Sequence, residues 1–303
     1  MSMNNKYFSI ISKTKEELDI EKELVNNIKN DKNFVDEVIR PLKISHEVFM
    51  DYLFAFVDAQ KEFHNCKNCQ GFDKCPNAHK GMRAILTNDK KFVSTKYEMC
   101  QYYLDDKRIK NCFIYNEFSA QFSDTFLKHM KLFSNGYRQL LKLALNKKIK
   151  EHDKTWIYVY GDEDTSKTEF LVAYANSYAK KQYGKVAFLN VDETMNYVKD
   201  IFYKQKEQYN EFLERLMNVD LLILDGFNKE TFINNVLRDQ FLLRLIKYRY
   251  ENDLETCISS RFDLNEFTAF LAINRFGESV AYDISNYIHK KIEKQYKLEH
   301  LLL

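Results

Sequence analysis

The second half of the chain alternates short apolar runs with longer amphipathic ones. Trp156-Ile157-Tyr158-Val159-Tyr160, Val186-Ala187-Phe188-Leu189-Asn190, Leu221-Leu222-Ile223-Leu224 and Thr256-Cys257-Ile258-Ser259-Ser260 read as buried strands. Between them, 170–183, 195–217 and 232–250 carry helical periodicity. Strands alternating with helices predict an α/β unit in which a parallel sheet is covered on both faces. Ahead of the first strand, a long helical pattern runs from Asp124 to about Lys150.

The first half reads differently. Ser12 to Asn30 is a charged amphipathic helix with Leu18, Ile20, Leu24, Val25 and Ile28 on its apolar side, capped by Ser12 or Thr14. A second helix runs from Asp31 to Arg40 and stops at Pro41, which lacks an N–H for the ladder. A third, Ser45 to Phe63, is apolar along one face. A cysteine-bearing region follows, and Lys90 to Tyr97 reads as extended. Residues 104–123 turn polar and irregular and read as connecting chain. No internal repeat is visible.

Composition narrows the class. A chain of 303 residues favours two domains, and 45% hydrophobic with 30% charged residues allows a real core under a wet surface. The net charge of +2 is not that of a strongly basic nucleic-acid binder, although local patches remain open. No apolar run has the length to span a bilayer, and the start of the chain lacks a secretion-signal core. Thiols at metal-like spacing suit a reducing, cytoplasmic compartment better than a disulfide framework.

The cysteines carry the first candidate chemistry. Cys66 and Cys69 form a CxxC pair, Cys75 follows, and Cys100 closes the set after the extended segment. A two-residue gap lets both thiolates of a knuckle reach one ion, and tetrahedral Zn²⁺ takes four such ligands. His64 and His79 are nearby alternatives to one of them. Four protein ligands leave no open position, so the predicted role is structural. Cys112 and Cys257 lack such neighbours and read as buried thiols.

The second candidate lies after the first apolar run of the α/β half. Gly161-Asp-Glu-Asp-Thr-Ser166-Lys167-Thr168 follows a strand and opens a helix, the context of a phosphate-binding loop. Its backbone N–H groups and the helix N-terminus would cradle phosphates. Lys167 would reach the β- and γ-phosphates, and the Thr168 hydroxyl would bind Mg²⁺. Leu221 to Leu224 followed by Asp225 has the form of the second nucleotide-site motif, whose Asp holds Mg²⁺. Ser166 replaces the usual second glycine, Asp162, Glu163 and Asp164 put carboxylates beside the expected polyanion, and Gly226 stands where a catalytic acid is common. Glu230 is the nearest acid beyond it.

Taken in order, these parts resemble a known family. Cys66-x-x-Cys69-x-Gly71-Phe72-x-x-Cys75-x-Asn77 with Cys100 downstream resembles the zinc module of bacterial replicative-helicase loaders of the primosomal protein DnaI type. Tyr158 to Thr168, Leu222 to Asp225, Arg238-Asp239 leading to Tyr248-Arg249-Tyr250-Glu251, and Ser259-Ser260-Arg261-Phe262 resemble their AAA+ domain. The resemblance spans most of the chain. It implies a small, mainly helical amino-terminal zinc-binding module over 1–108 that contacts the ring helicase, a linker over 109–123, and an AAA+ P-loop domain over 124–303. That domain would hold a five-stranded parallel sheet between helices, with its last strand near Tyr296 to Leu301. It further implies binding of ATP or ADP with Mg²⁺, single-stranded DNA, and other primosome proteins as partners. Gly161, Ser166, Lys167, Thr168 and Asp225 fall on the nucleotide-binding positions.

The departures are specific. The polar residue closing the fourth strand, usually Asn, falls on Arg261, which takes the sensor-like position. The late helix that supplies arginines to the γ-phosphate carries Asp283 and Tyr287 at the matching places, with Arg275 as a substitute for one. An arginine at such a place is worth about 10³–10⁵ in rate. With the acid also missing, hydrolysis is expected to be slow or absent while Mg-nucleotide binding survives. Two other readings stay open: an active DNA-stimulated ATPase using Glu230 or another acid, and a zinc-containing interaction protein without nucleotide. Basic clusters at Lys147 to Lys150, Lys180-Lys181, Lys199 to Lys206 and Lys290-Lys291, interleaved with Tyr178, Tyr183, Phe202 and Tyr203, mark candidate single-strand contacts. Phe34, Phe49 and Tyr52 read as the amino-terminal module's own core before they read as a docking surface.

Overall fold

A computed structural model describes residues 14–89, 92–130, 136–272 and 277–300. The chain divides at Asp106/Lys107 into two compact units, the boundary falling inside one helix.

In the amino-terminal unit, α1 (Lys15–Asn30) starts at a capping box: Thr14 Oγ1 accepts from Glu17 N–H while the Glu17 carboxylate accepts from Thr14 N–H. Ser12 lies outside the described residues. A helical segment follows over 32–42, and it does not stop at Pro41. A π turn at Val35–Ile39 sends the Arg40 N–H back to Val35 C=O, and the helix ends at left-handed Lys43. The widened turn absorbs the missing proline donor that sequence reasoning treated as a break. After α2 (His46–Asp51) comes α3 (Leu53–Lys67). The extended segment proves to be half of an antiparallel hairpin, β1 (Met82–Asp89) with β2 (Phe92–Met99). Phe34, Phe49, Leu53 and Phe56 centre the core with Val25, Ile28, Leu86 and Val93. Phe34 and Phe49 are therefore interior, and Tyr52 packs against them.

In the second unit, β3 (Phe113–Asn116), β4 (Trp156–Tyr160), β5 (Val186–Asn190), β6 (Leu221–Phe227), β7 (Glu255–Ser260) and β8 (Ile292–Lys297) form one parallel sheet in the order β3-β5-β6-β7-β4-β8. The expected five strands become six. The extra strand, β3, lies within 109–123, the segment read as linker. It adds at the edge beside β5. Its pattern is only half-buried, and four residues are too few to show a period. The final strand begins at Ile292, earlier than expected, and Leu301 lies outside the described residues.

Strand alternation sorts the core. Trp156, Tyr158, Ala187, Leu189, Leu222, Leu224 and Ile258 face one cluster; Ile157, Val159, Val186, Phe188, Leu221, Ile223 and Cys257 face the other. Between α4 (Gln101–Cys112) and β4, helix α5 (Gly136–Glu151) replaces the predicted longer helix from Asp124. The Asn176 side-chain amide donates to the carbonyls of Phe122, Ser123 and Thr125, which fixes this stretch as turns. α5 and α6 (Lys167–Lys181) cover the second cluster. The first is covered by α7 (Val191–Lys204), α8 (Lys206–Asn218), α9 (Leu243–Glu251), α10 (Leu264–Leu271) and α11 (Glu278–Lys291). The single helix expected over 195–217 is broken at Gln205, whose backbone leaves the helical region. Arg249 is fully buried, and burial pushes its guanidinium down to about 9. It donates to the carbonyls of Leu216 and Val219 and to the Thr256 hydroxyl, tying α8, α9 and β7 together.

Candidate functional site: a phosphate-loop cradle and a cysteine cluster

The loop between β4 and α6 opens at the carboxyl edge of the sheet, where open α/β sheets place their ligands. Gly161 has φ +143, and a Cβ there would stand 2.1 Å from the Leu298 carbonyl oxygen, so only glycine fits. Its N–H bonds Ser260 C=O at 3.2 Å. Buried Thr165 donates to Asp162 C=O at 2.8 Å and tightens the turn. Asp164 and Ser166 are left-handed, with φ +56 and +66. Ser166 thus holds the conformation that a glycine would adopt without strain.

Lys167 folds back onto the loop. Its Nζ donates to Gly161 C=O at 2.7 Å, to Asp162 C=O, and to Thr165 Oγ1 at 3.2 Å. Burial holds its pKa below the usual lysine value, against the opposing pull of Asp225, Asp162 and Glu163. Thr168 Oγ1 donates to Asp225 Oδ2 at 2.7 Å, so the two residues expected to share Mg²⁺ are brought together. Ser259 donates to the other oxygen of Asp225. Burial raises the Asp225 carboxyl above its ordinary value, opposed by the Ser259 and Thr168 hydrogen bonds and by Lys167. A hydroxyl, a buried carboxylate and an ammonium beside a loop of backbone N–H groups make a donor set that fits a Mg-nucleotide.

The residue after Asp225 is shaped against an acid. The β6–β7 register shifts between Leu224 and Phe227, and Gly226 has φ +96 at this bulge. No atom would crowd a Cβ there, but an L side chain would be strained. Glu230 is exposed in the loop closed by Asn228 and Thr231. Ser259, which holds both the Asp225 carboxylate and the Gly226 N–H, was not singled out from sequence. Its only signal was a polar pair ending an apolar strand.

Arg261 leaves the end of β7 toward the loop. Its Nη1 lies 3.4 Å from Glu163 Oε1 and its Nη2 3.6 Å from Asp162 Oδ1. On α11, Asp283 and Tyr287 stand where arginines were expected, and Arg275 lies outside the described residues. Of the basic clusters, Lys148 is withdrawn from solvent. It pairs with buried Glu255 at 3.0 Å, and Tyr178 is buried as well. Tyr203, Tyr197 and Phe232 are exposed, with Lys199 Nζ 4.5 Å from the Phe232 ring centre.

In the amino-terminal unit, Cys66, Cys69, Cys75 and Cys100 line one cavity of about 360 Å³. Each sulfur accepts a hydrogen bond at 3.4 Å: Cys66 from Asn77 Nδ2, Cys69 from Gly71 N–H, Cys75 from Gly81 N–H and Cys100 from Tyr103 N–H. Burial pushes the Cys66 thiol up, and its neighbours Cys69 and Cys75 push it further. Neither alternative histidine lines the cavity: His64 Nε2 meets Asp31 Oδ2 at 2.5 Å, and His79 packs edge-on against Tyr97. Among the described residues no three Cys, His, Asp or Glu side chains are gathered into a metal-holding group. The donor chemistry suits zinc, but the sulfurs fall short of a coordination sphere, so the expected metal site is not seen as such. Among the described residues no helix is long and apolar enough to cross a membrane.

Sheet, loop and following helix define the class: an α/β domain with a parallel sheet, resembling AAA+ domains. No protein-family model matches the chain. It is 23% identical over 244 residues to the replicative helicase loader DnaI of Bacillus subtilis (strain 168), covering 77% of this chain and 74% of that protein. Its fold is similar to a crystal structure of DnaI, with TM-score 0.56 and 19% identity over 63% of this chain and 100% of that one. It is also similar to a candidate primosome component of Streptococcus pyogenes serotype M3, with TM-score 0.51 and 17% identity over 63% and 95%. The chain thus resembles helicase loaders of the DnaI type, as its motifs suggested.

Proposed function

We propose that this chain is a helicase loader of DNA replication that acts in the cytoplasm. Its amino-terminal unit holds the replicative ring helicase, and its α/β unit binds ATP or ADP with Mg²⁺ and hydrolyses ATP slowly or not at all. The observation that carries the loader reading is the sequence match to DnaI. It covers 77% of the chain, more than the α/β unit alone contains, so it reaches into both units. Nucleotide binding draws its support from the Thr168–Asp225 pair beside Lys167. Slow hydrolysis draws support from Gly226, at a backbone angle where an acid's side chain would be strained, and from the residues standing at the arginine positions.

In this reading Cys66, Cys69, Cys75 and Cys100 take a structural Zn²⁺, which would link α3, the hairpin and the start of α4. Their shared cavity and the N–H donor on each sulfur support this. Gly161, Ser166, Lys167 and Thr168 surround the phosphates, and Thr168 with Asp225 holds the magnesium ion. When bound, that ion offsets phosphate charge. The exposed face of Lys199, Tyr203 and Phe232 suits single-stranded DNA, since every base has a π-face to stack.

A pull-down of the ring helicase from the same cell, with and without Mg-ATP, tests the loader reading. Retention of the helicase by the full chain is expected; no retention in either state would overturn it. A second reading, an interaction protein without nucleotide, draws on the acids Asp162 to Asp164 and on the Lys167 ammonium occupied by its own loop. A melting shift with Mg-ATP separates it from the first. Rapid phosphate release stimulated by single-stranded DNA would instead favour an active ATPase with Glu230 or another acid as base.

A further inference from the structure

The loop's acids and Arg261 are joined in a way the nucleotide reading leaves unexplained. A phosphate loop gains nothing from carboxylates at Asp162 and Glu163, which would repel a polyanion. Arg261, where a small polar residue is usual, has its backbone fixed against the sheet. It follows Ser260, whose carbonyl accepts the Gly161 N–H, and its own N–H bonds Phe227 C=O at 2.7 Å, just beyond Asp225 and Gly226. Its guanidinium reaches back to the loop that opens the cradle. There it splits between two partners, Nη1 toward Glu163 and Nη2 toward Asp162, at 3.4 and 3.6 Å.

The strength of this arrangement is informative. Arg261 is 33% exposed, while Asp162 and Glu163 are 67% and 68% exposed. Long pairs with so much solvent around the carboxylates are weak. A phosphate offers a guanidinium shorter, charge-assisted and bidentate hydrogen bonds, which are stronger than either pair. The side chain is therefore parked on anions that belong to the protein and that a ligand anion can outcompete.

We propose that Asp162, Glu163 and Arg261 form an internal latch on the phosphate cradle. The terminal phosphate of a nucleoside triphosphate displaces the two carboxylates from Arg261, whereas a diphosphate, one phosphate shorter, leaves the latch closed. Arg261 is then the residue that separates triphosphate from diphosphate, and the loop acids set how much affinity that separation costs. The inference rests on the nucleotide-site reading above and adds to it the basis of its selectivity.

The test is equilibrium binding of fluorescent ATP and ADP analogues with Mg²⁺ to the full chain. The variants are Lys167→Ala, Arg261→Ala, Asp162→Asn with Glu163→Gln, and all three loop and strand changes together. Neutralising the acids is expected to tighten ATP by about 3- to 10-fold, and ADP by less. Arg261→Ala is expected to bring the ATP and ADP affinities together, and in that background the acid changes should shift both nucleotides equally. Equal shifts for ATP and ADP while Arg261 is present, or an ATP preference that survives Arg261→Ala, would overturn the latch. Binding lost in Lys167→Ala but insensitive to Arg261 and the acids would remove the latch alone. No binding by the parent chain, or binding indifferent to Lys167→Ala, would remove the nucleotide site and the latch with it.

Discussion

The two units hold themselves together by different means. The α/β unit buries the four central strands of its six-stranded sheet on both faces, and these strands send alternate residues into two clusters. The amino-terminal unit has one modest core, and its hairpin contributes little to it: only Leu86 on β1 and Val93 on β2 are buried. The hairpin is pinned by polar contacts, Ala84 N–H to Glu62 at 2.9 Å, Asn88 Nδ2 to Leu42 C=O at 2.9 Å and, at its base, Asn77 Nδ2 to Met82 C=O at 3.0 Å. A unit with so little burial is where an ion contributes most to folding. In the other unit the core carries stability, which frees the strand ends for polar chemistry.

That contrast can be broken experimentally. The largest effect is expected for Cys69→Ser. If the four cysteines hold zinc as proposed, a site of that kind contributes on the order of 10 kcal/mol, so this variant should lose the metal and the cooperative melting of the amino-terminal unit, with the α/β transition retained. Calorimetry with metal analysis checks it; one zinc per chain in the variant would mean Cys69 is not a ligand. Next, Arg249→Ala should strip a buried donor from several carbonyls and lower the α/β transition by about 3–4 kcal/mol. The amino-terminal transition should stay in place, and denaturant melts of the full chain read both.

The smaller effects concern the site itself. Gly226→Glu supplies the missing acid, yet its φ of +96 should make the variant less stable by about 1–3 kcal/mol without raising phosphate release. A burst of hydrolysis would show that the bulge relaxes and that the absent acid alone sets the rate. Smallest is Ser166→Gly, which should raise α/β stability by about 1 kcal/mol because Ser166 sits at φ +66. A lower melting temperature would mean that the serine side chain supports the loop in a way its backbone angle does not suggest.

How legible each unit was follows from the same contrast. The strands from Trp156 to Ser260 were readable because a strand buried on both faces must be apolar throughout, and the cradle residues follow directly from strand ends. β1 was not, because Met82 to Asp89 is mostly wet on both sides and carries no clean alternation. β3 was hidden for a related reason, being a short edge strand with a half-buried pattern. Pro41 misled because a π turn can place a proline inside a helix. At the site, Lys167, Thr168 and Asp225 were found from motif spacing, whereas the engagement of Arg261 with Asp162 and Glu163 joins residues far apart in the chain. Lys148 shows the converse failure: a lysine in a basic run is a core residue because Glu255 on β7 is buried opposite it.

The central claim is that the loop from Gly161 to Thr168 is a working anion cradle in the unit whose core stands without it. Calorimetry of the full chain with Mg-ATP, on the parent and on Lys167→Ala, addresses it most directly. At 100 times Kd the nucleotide should stabilise the α/β transition of the parent by about 2.7 kcal/mol and leave the variant unmoved. Equal shifts in both proteins, or none in the parent, would contradict it.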